Sequence, residues 1–125
     1  MNPVDILRNN DYKITRPRQL VIQRLQKTTA PQTADAIHAA LKRSRINLTS
    51  VYRTLELLDQ LGIAFYEERD GERWYYLAEK QHHHITCRKC QHTECLPCRT
   101  EFKPPAGFKK IEHQLILTGL CKKCT

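Results

Sequence analysis

Residues 48–77 decide the fold of the first part of this chain: LTSVYRTLELLDQLGIAFYEERDGERWYYL. In the first half of this stretch hydrophobic residues recur at helical spacing, and Gly62 follows them where a helix commonly ends. In the second half an Asp70-Gly71 pair separates two strand-like runs, which indicates a hairpin. We therefore expect a helix capped by Thr49 and then a two-stranded wing. The expected inward residues are Val51, Leu55, Leu58 and Leu61, and the expected strands are residues 63–68 and 73–77.

Three shorter helices are predicted before this stretch. Pro3 stands at an early helical position of the first, which breaks near residues 9–11, and Thr15 opens the second. Thr33 caps the third, which forms a helix-turn-helix pair with the helix of residues 49–61. Helices followed by a two-stranded hairpin make a winged helix.

The charges of the 125 residues are unevenly distributed. Residues 1–54 hold ten Lys/Arg against three Asp/Glu, residues 55–80 hold three against seven, and residues 81–125 hold eight against three, for a net charge of +8. A basic N-terminal region suits contacts with DNA phosphates, although an ordinary solvated surface has the same composition. Acidic residues on the wing, among them Glu67, would repel phosphate, so we expect the helix to read the bases.

Polar side chains near the start of the fourth helix are the candidate base readers. Arg53 can form a bidentate pair with guanine, and Tyr52 can contact a thymine methyl group or a phosphate. The alternative is a solvated helix face. Cations before and within the second helix can reach the DNA backbone or the minor groove. The candidate DNA-binding residues are Lys13, Thr15, Arg16, Arg18, Ser50, Tyr52, Arg53 and Thr54.

The last 45 residues contain the chemistry of a metal domain. Cys87-Arg-Lys-Cys90 and Cys121-Lys-Lys-Cys124 supply four thiolates, which is what a structural zinc site requires. A domain of this size usually needs such a staple. Cys95-Leu-Pro-Cys98 is a third pair, and spacing alone does not decide whether it completes this site, joins a second one or acts as a redox pair.

Three consecutive histidines precede the first cysteine pair. If they lie on a strand, alternation puts His82 and His84 on one face and His83 on the other, so that two different sites could be served. Imidazole binds zinc, iron, nickel and copper alike, so the histidines do not select a metal. A surface histidine cluster without metal is the alternative.

Other protein classes are disfavoured by what the sequence lacks. No run of about 18 apolar residues predicts a membrane span, and no secretory signal is recognisable, so we expect a cytoplasmic protein with reduced cysteines. The pair His92-Thr-Glu94 and Pro97-Cys98 superficially matches a zinc deaminase, but the second cysteine of that signature is missing. No enzyme is predicted. The expected domains are residues 1–79 and 80–125.

In combination and order, these motifs resemble the ferric uptake regulator family, and the type they resemble most is the zinc uptake regulator. The motifs are residues 49–55, the histidine run leading into Cys87, and residues 113–124. The resemblance implies an α+β fold with an N-terminal winged-helix DNA-binding domain and a small zinc-stapled α/β dimerisation domain. It also implies a dimeric, metal-responsive repressor that binds a palindromic operator in double-stranded DNA.

The same resemblance implies roles for individual residues. Lys13 matches a minor-groove lysine, and Tyr52 and Arg53 match the base-reading pair. The four cysteines named first match the structural zinc site. His82 and His84 match ligands of a regulatory site, and Cys95 stands where the family often has an acidic ligand. That site would take a second divalent metal, with Zn²⁺ favoured and Fe²⁺ or Mn²⁺ as alternatives. The additional candidate ligands are His83, Cys98, Glu101 and His113.

The chain also departs from the family pattern. Pro31, Phe65 and Leu77 stand at positions where relatives often have metal ligands, so the regulatory site has three protein ligands. Cys98, His92, a wing carboxylate or water could supply a fourth. Two prolines and a glycine within residues 102–108 oppose the usual dimerisation helix, which we expect to be reduced or missing.

These features predict a metal-responsive transcription regulator, with two alternatives. One is a thiol-based redox or peroxide-responsive regulator of the same fold, in which Cys95 and Cys98 oxidise. The other is a zinc-stapled adaptor whose helices bind a protein partner.

Overall fold

The structure is a computed structural model that describes residues 2–78, 82–97, 103–109, 111 and 113–125. Two compact units make up the chain, Met1–Lys80 and Gln81–Thr125. Their division lies one residue beyond the boundary expected from the sequence.

Three short helices open the first unit: α1 (Pro3–Asn9), α2 (Arg16–Gln26) and α3 (Ala34–Ala40). Each begins after a polar residue whose side chain accepts a backbone N–H from the first turn. These capping residues are Asn2, Thr15 and Thr33. The predicted caps of α2 and α3 are therefore confirmed. A 3-10 turn, Lys42–Ser44, follows α3.

Helix α4 (Leu48–Gln60) begins two residues earlier than the sequence suggested. Asn47 is its cap, since its Oδ1 accepts the Ser50 N–H at 2.7 Å, and the prediction of Thr49 was wrong. Gly62 follows the helix with a φ of +71°, as a left-handed terminating residue should. At 13 residues α4 is the longest described helix, and none of the described helices has the length and apolar character needed to cross a membrane.

The wing is a hairpin of β2 (Ala64–Arg69) and β3 (Glu72–Leu77). Asp70 and Gly71 form its two-residue turn, both with positive φ, which is the geometry that an Asp-Gly pair favours. A third strand, β1 (Gln32–Thr33), pairs with the other edge of β3 and gives the order β1-β3-β2. Strand β1 was not predicted, because two residues are too few to show an alternating pattern.

The core of the first unit lies between the helices and this sheet. Its most deeply buried side chains come from all four helices, so the inner face of α4 is held against the other elements. Leu61 is only partly buried at the edge of this core. Fully or almost fully buried are Leu7, Val21, Ile22, Ile37, Val51, Leu55 and Leu58.

The second unit is built on a three-stranded sheet of β4 (His83–Cys87), β5 (Thr93–Leu96) and β6 (Ile116–Gly119). Strand β4 is central, with β5 antiparallel and β6 parallel to it. Between β5 and β6 the described residues, which are 97, 103–109, 111 and 113–115, include no helix. The buried residues among those described in this unit are His83, His84, Thr86 and Cys87. Because these side chains are polar or sulfur-bearing, the described part of this unit lacks the hydrocarbon core that usually stabilises a domain.

Candidate metal centres and nucleic-acid interface

Strand pairing in the second unit brings four cysteines together. Cys87 ends β4 opposite Gly119 of the parallel strand β6, so the residues that follow the two strands meet. The sulfur atoms of Cys87, Cys90, Cys121 and Cys124 all lie within 4.8 Å of one another. Cys90 Sγ and Cys121 Sγ are 3.5 Å apart. Zinc–sulfur bonds of about 2.3 Å in a tetrahedron require sulfur–sulfur distances of about 3.8 Å, so this cluster fits a four-thiolate zinc site.

The protonation of these thiols differs across the cluster. Backbone N–H groups of Cys90, Cys121 and Lys89 lower the pKa of Cys87 to about 5, and the Cys121 N–H donates to Cys87 Sγ at 3.3 Å. The Cys121 thiol raises the pKa of Cys124 to about 12. Because hydrogen bonds from backbone amides stabilise a thiolate, Cys87 is prepared to bind a cation.

A second cluster lies on one face of β4. His84 is opposite Cys95 in the β4–β5 ladder, and His82 is two residues before His84 on the same face. The ligand atoms of His82, His84 and Cys95 all lie within 4.8 Å of one another, and the two Nε2 atoms are 3.1 Å apart. Zinc–nitrogen bonds of about 2.0 to 2.1 Å in a tetrahedron require nitrogen atoms about 3.3 Å apart, so the pair is close to ligand geometry.

The other face of β4 holds a separate histidine pair. His83 is 4% exposed, and its Nε2 lies 3.1 Å from Nε2 of His113. The alternation predicted for the histidine run is therefore confirmed, because His82 and His84 share one cluster while His83 has a different neighbour. Cys98 and Glu101, which the sequence analysis gave as additional candidate ligands, lie outside the described residues. His92 faces Glu94, with Nε2 and Oε2 3.6 Å apart.

The start of α4 presents only some of the predicted DNA-binding residues to solvent. Tyr52 is 44% exposed and Arg53 is exposed, while Ser50 is half-buried beside its cap. Thr54 is 4% exposed, so its assignment to the DNA-binding face was wrong. It stands three residues after the buried Val51, which puts both on the inner face of the helix. The helical spacing already indicated this position, but Thr54 was assigned to the DNA-binding face because its side chain is polar.

The predicted residues around the start of α2 also serve in the fold. Arg18 Nη1 donates to the carbonyl oxygen of Lys13 at 2.8 Å, and Arg16 Nη1 donates to the carbonyl oxygen of Ser44 at 2.6 Å. Thr15 accepts the N–H of Arg18 as the helix cap. The guanidinium groups keep further donors, since each has five N–H bonds. The start of α2 is therefore held in place by these hydrogen bonds, and it is positively charged.

The wing carries its acidic charge at its tip. Glu68, Asp70 and Glu72 are exposed, whereas Glu67 is 4% exposed and is paired with Arg69, whose Nη2 lies 2.8 Å from Glu67 Oε2. The expected repulsion of phosphate by Glu67 was therefore wrong, because Glu67 is buried and paired with Arg69. Glu68 Oε1 lies 3.9 Å from Arg73 Nε, so Asp70 and Glu72 are the carboxylates that keep the wing tip unfavourable for DNA.

Comparisons with known proteins agree with this arrangement. The model of the ferric uptake regulator family matches residues 9–117. The ferric uptake regulation protein of Legionella pneumophila is 30% identical over 129 residues, which cover 94% of this chain and 95% of that protein.

Solved structures of the same fold align over nearly the whole chain. The ferric uptake regulator of Vibrio cholerae aligns with a TM-score of 0.67 at 22% identity, over 96% of this chain and all of the other. A zinc-bound manganese uptake regulator aligns with a TM-score of 0.69 at 20% identity, over 97% and 99%. At these identities the structural likenesses show a common fold.

Proposed function

This chain belongs to the ferric uptake regulator family, and from that membership we propose that it is a zinc-responsive repressor that binds DNA as a homodimer. The family consists of metal-responsive transcription regulators and not of enzymes, and the chain is one of these regulators. Beyond family membership, we propose which metal it senses, which residues bind this metal and that its operator is palindromic. Since such a regulator works on the chromosome, we assign it to the cytoplasm.

The four-cysteine cluster holds a structural zinc ion in this proposal. Zinc in a four-thiolate site has no open position and supplies folding energy rather than chemistry, roughly 10 to 16 kcal/mol in small peptides near neutral pH. That contribution suits a unit whose buried side chains, among the described residues, are polar or sulfur-bearing. Cys87, Cys90, Cys121 and Cys124 would tie the ends of β4 and β6 together.

The convergence of His82, His84 and Cys95 is the observation that carries the sensing role. Two imidazoles and one thiolate leave a fourth position for water or a further ligand, so this site can bind metal reversibly. Thiolate ligands favour zinc over ferrous iron, since sulfur is the softer donor. We therefore propose zinc as the metal, with iron and manganese as the competitors that the experiment must test.

The position of this site suggests how binding is transmitted. His82 is the first described residue after the segment 79–81, which joins the two units. When His82, His84 and Cys95 bind one metal ion, the backbone at residue 82 is held against β4 and β5. Metal then favours one state of the chain over another to the extent that it binds the two with different affinity. The favoured state in this proposal is the one that binds DNA.

The exposed apolar side chains of the second unit support homodimerisation. Large exposed hydrophobic residues on a small soluble unit commonly mark a protein interface. Strand β6 is also at the edge of its sheet, where the described structure adds no further strand. The exposed residues are Ile85, Phe108, Ile111, Leu115, Ile116 and Leu120. A dimer would present two α4 helices, which suits a palindromic operator.

The sensing role is tested by substituting Cys95. In the Cys95→Ser variant, DNA binding by metal-depleted protein should no longer respond to added zinc, while one zinc per chain remains in the four-cysteine site. Glu94→Gln is the matched control, because Glu94 is the exposed neighbour of Cys95 on the opposite face of β5. Fluorescence anisotropy with a labelled operator duplex and zinc analysis of the purified protein measure the two properties. A variant that zinc activates as it does the wild type would refute the role of Cys95.

The DNA-binding role is tested by two neighbouring residues of α4. Arg53→Ala should weaken binding to the operator by about 1 to 3 kcal/mol, the usual value of a bidentate base contact. Thr54→Val should leave the affinity unchanged, because Thr54 lies in the interior. Equal operator affinities for the wild type and Arg53→Ala would refute the assignment of α4 as the helix that reads the bases.

The redox alternative involves Cys98, which lies outside the described residues, so it stays a prediction. A Cys95–Cys98 disulfide after mild peroxide treatment, seen by mass spectrometry together with loss of DNA binding, would favour it. Family membership gives no support to the adaptor alternative.

A further inference from the structure

The turn before α4 carries a group of cations that the functions above do not use. Lys42, Arg43 and Arg45 lie in or directly after the 3-10 turn, and all three side chains are exposed. Within the described residues, none of the three side chains has a hydrogen-bond or ion-pair partner. Three unneutralised charges in four residues create a local positive potential.

Two contacts hold this turn beside the candidate DNA-binding surface. Arg16, the first residue of α2, donates to the carbonyl oxygen of Ser44 at 2.6 Å. His38 Nε2 lies 3.1 Å from the carbonyl oxygen of Ile46, which braces the other side of the turn. Asn47 then caps α4 directly afterwards. The start of α2, the turn and the start of α4 are therefore adjacent.

The backbone of the turn also arranges its charges. Lys42 and Arg43 lie within the 3-10 turn and Arg45 ends it, so the three cationic side chains leave the backbone within four residues. Arg45 adopts the left-handed conformation, with φ +57° and ψ +29°. Residues other than glycine seldom occupy this region, and asparagine does so more readily than arginine. Arg45 therefore ends the turn in a backbone conformation that its residue type does not favour.

The acidic charge of the wing tip means that another part of the first unit has to contact the DNA phosphates. In many winged helices the wing flanks the reading helix, but here the exposed wing tip carries Asp70 and Glu72. These carboxylates disfavour contact with phosphate. Phosphate contacts fix the register of a protein on the duplex, so they must come from another part of the first unit.

We propose that Lys42, Arg43 and Arg45 form a phosphate-binding turn that, with Lys13 and Arg16, contacts the DNA backbone beside the groove that α4 enters. This inference rests on the proposed DNA-binding function and adds a second anchoring segment to it. The turn supplies affinity and register, whereas Tyr52 and Arg53 read the bases.

The test compares two variants that lose the same charge. One combines Arg43→Ala with Arg45→Asn, because asparagine tolerates the left-handed backbone at position 45. The control combines Lys103→Ala with Lys109→Ala, two exposed cations of the second unit. The probes are a labelled duplex selected from a random library with zinc-loaded wild-type protein and a scrambled duplex of equal length. Fluorescence anisotropy gives the affinity between about 50 and about 200 mM salt.

Each lost phosphate contact should make the salt dependence of DNA binding less steep by a fixed amount. The slope of log affinity against log salt should become less steep by about 1.8 for the double variant, at about 0.9 per contact. Over this salt range the affinity of the wild type should fall about 12-fold more than that of the variant. Both duplexes should show the same change, since phosphate contacts carry no sequence information. The control should keep the wild-type slope.

Three results would overturn the inference: a wild-type slope in the double variant, a loss confined to the selected duplex, or an equal loss in the control. A wild-type protein that binds neither duplex would refute the proposed function and this inference together, so the two failures are distinguishable. If the double variant does not fold, Lys42→Gln decides alone. It should reduce the slope by about 0.9, and an unchanged slope counts against the turn.

Discussion

Zinc binding to the four-cysteine cluster should release fewer than four protons at neutral pH. Cys87 has a pKa of about 5 because backbone amides donate to its sulfur, so about 1% of it is protonated at pH 7. The pKa of Cys124 is raised to about 12 by the Cys121 thiol. A backbone amide of His92 favours the Cys90 thiolate, but hydrogen bonds with the side chains of Cys121 and Cys87 together raise the pKa of Cys90 above its usual value. Cys90 and Cys124 therefore each lose a proton when zinc binds, and Cys87 loses almost none.

The proton count determines how zinc affinity depends on pH. Zinc binds thiolates, so each released proton makes the apparent affinity rise about tenfold per pH unit. The protons of Cys90 and Cys124 alone predict a rise of about 100-fold for each unit between about pH 6 and about pH 8. Calorimetric titration of metal-depleted protein in buffers with different ionisation heats measures the count directly. Competition with a chelator at two pH values measures the slope.

Two single-ligand variants provide the control for this count. Cys87→Ser should weaken zinc binding without changing the number of protons released, because that thiol binds as a thiolate already. Cys124→Ser should weaken binding and remove one proton. Release of four protons by the wild type, or the same loss of one proton in both variants, would refute the assignment of a lowered pKa to Cys87.

Three predictions concern the first unit and are checked by denaturant unfolding of the purified protein. Leu55→Ala should lower the free energy of unfolding by about 2 to 5 kcal/mol, because Leu55 is fully buried, and a loss well below this range would contradict that burial. Asn47→Ala should cost about 1 kcal/mol, whereas Thr49→Ala should cost little, and the reverse order would return the cap of α4 to Thr49. Gly71→Ala should cost about 1 kcal/mol because its φ is +80°. Gly119→Ala, at a position without positive φ and with open space around it, serves as the control and should be nearly neutral in this measurement.

Local signals predicted most of the first unit. The caps Thr15 and Thr33, the terminating Gly62 and the Asp70-Gly71 turn depend on a few neighbouring residues, so they could be read from the chain. Errors arose where two neighbours could play one role. Asn47 and Thr49 are both good caps, and only the hydrogen bond to Ser50 distinguishes them.

The features of the candidate sites also divide into those that local sequence predicts and those that it does not. Alternation along a strand is a local property, so the separation of His82 and His84 from His83 could be predicted. The assignment of Thr54 to the DNA-binding face failed because residue identity was given more weight than helical spacing. The bracing of Arg16 against Ser44 was not predictable, since 28 residues separate the two.

The sequence by itself determined which side chains could bind metal and which strand face each histidine occupies, because chemistry and period are carried by the residues themselves. Only the tertiary structure decided which of these groups meet. The parallel pairing of β4 with β6 gathers the four cysteines, and the antiparallel pairing of β4 with β5 brings Cys95 to His84. Both depend on contacts between segments that the chain keeps apart, and the free energy of those contacts appears only when the sheet has formed.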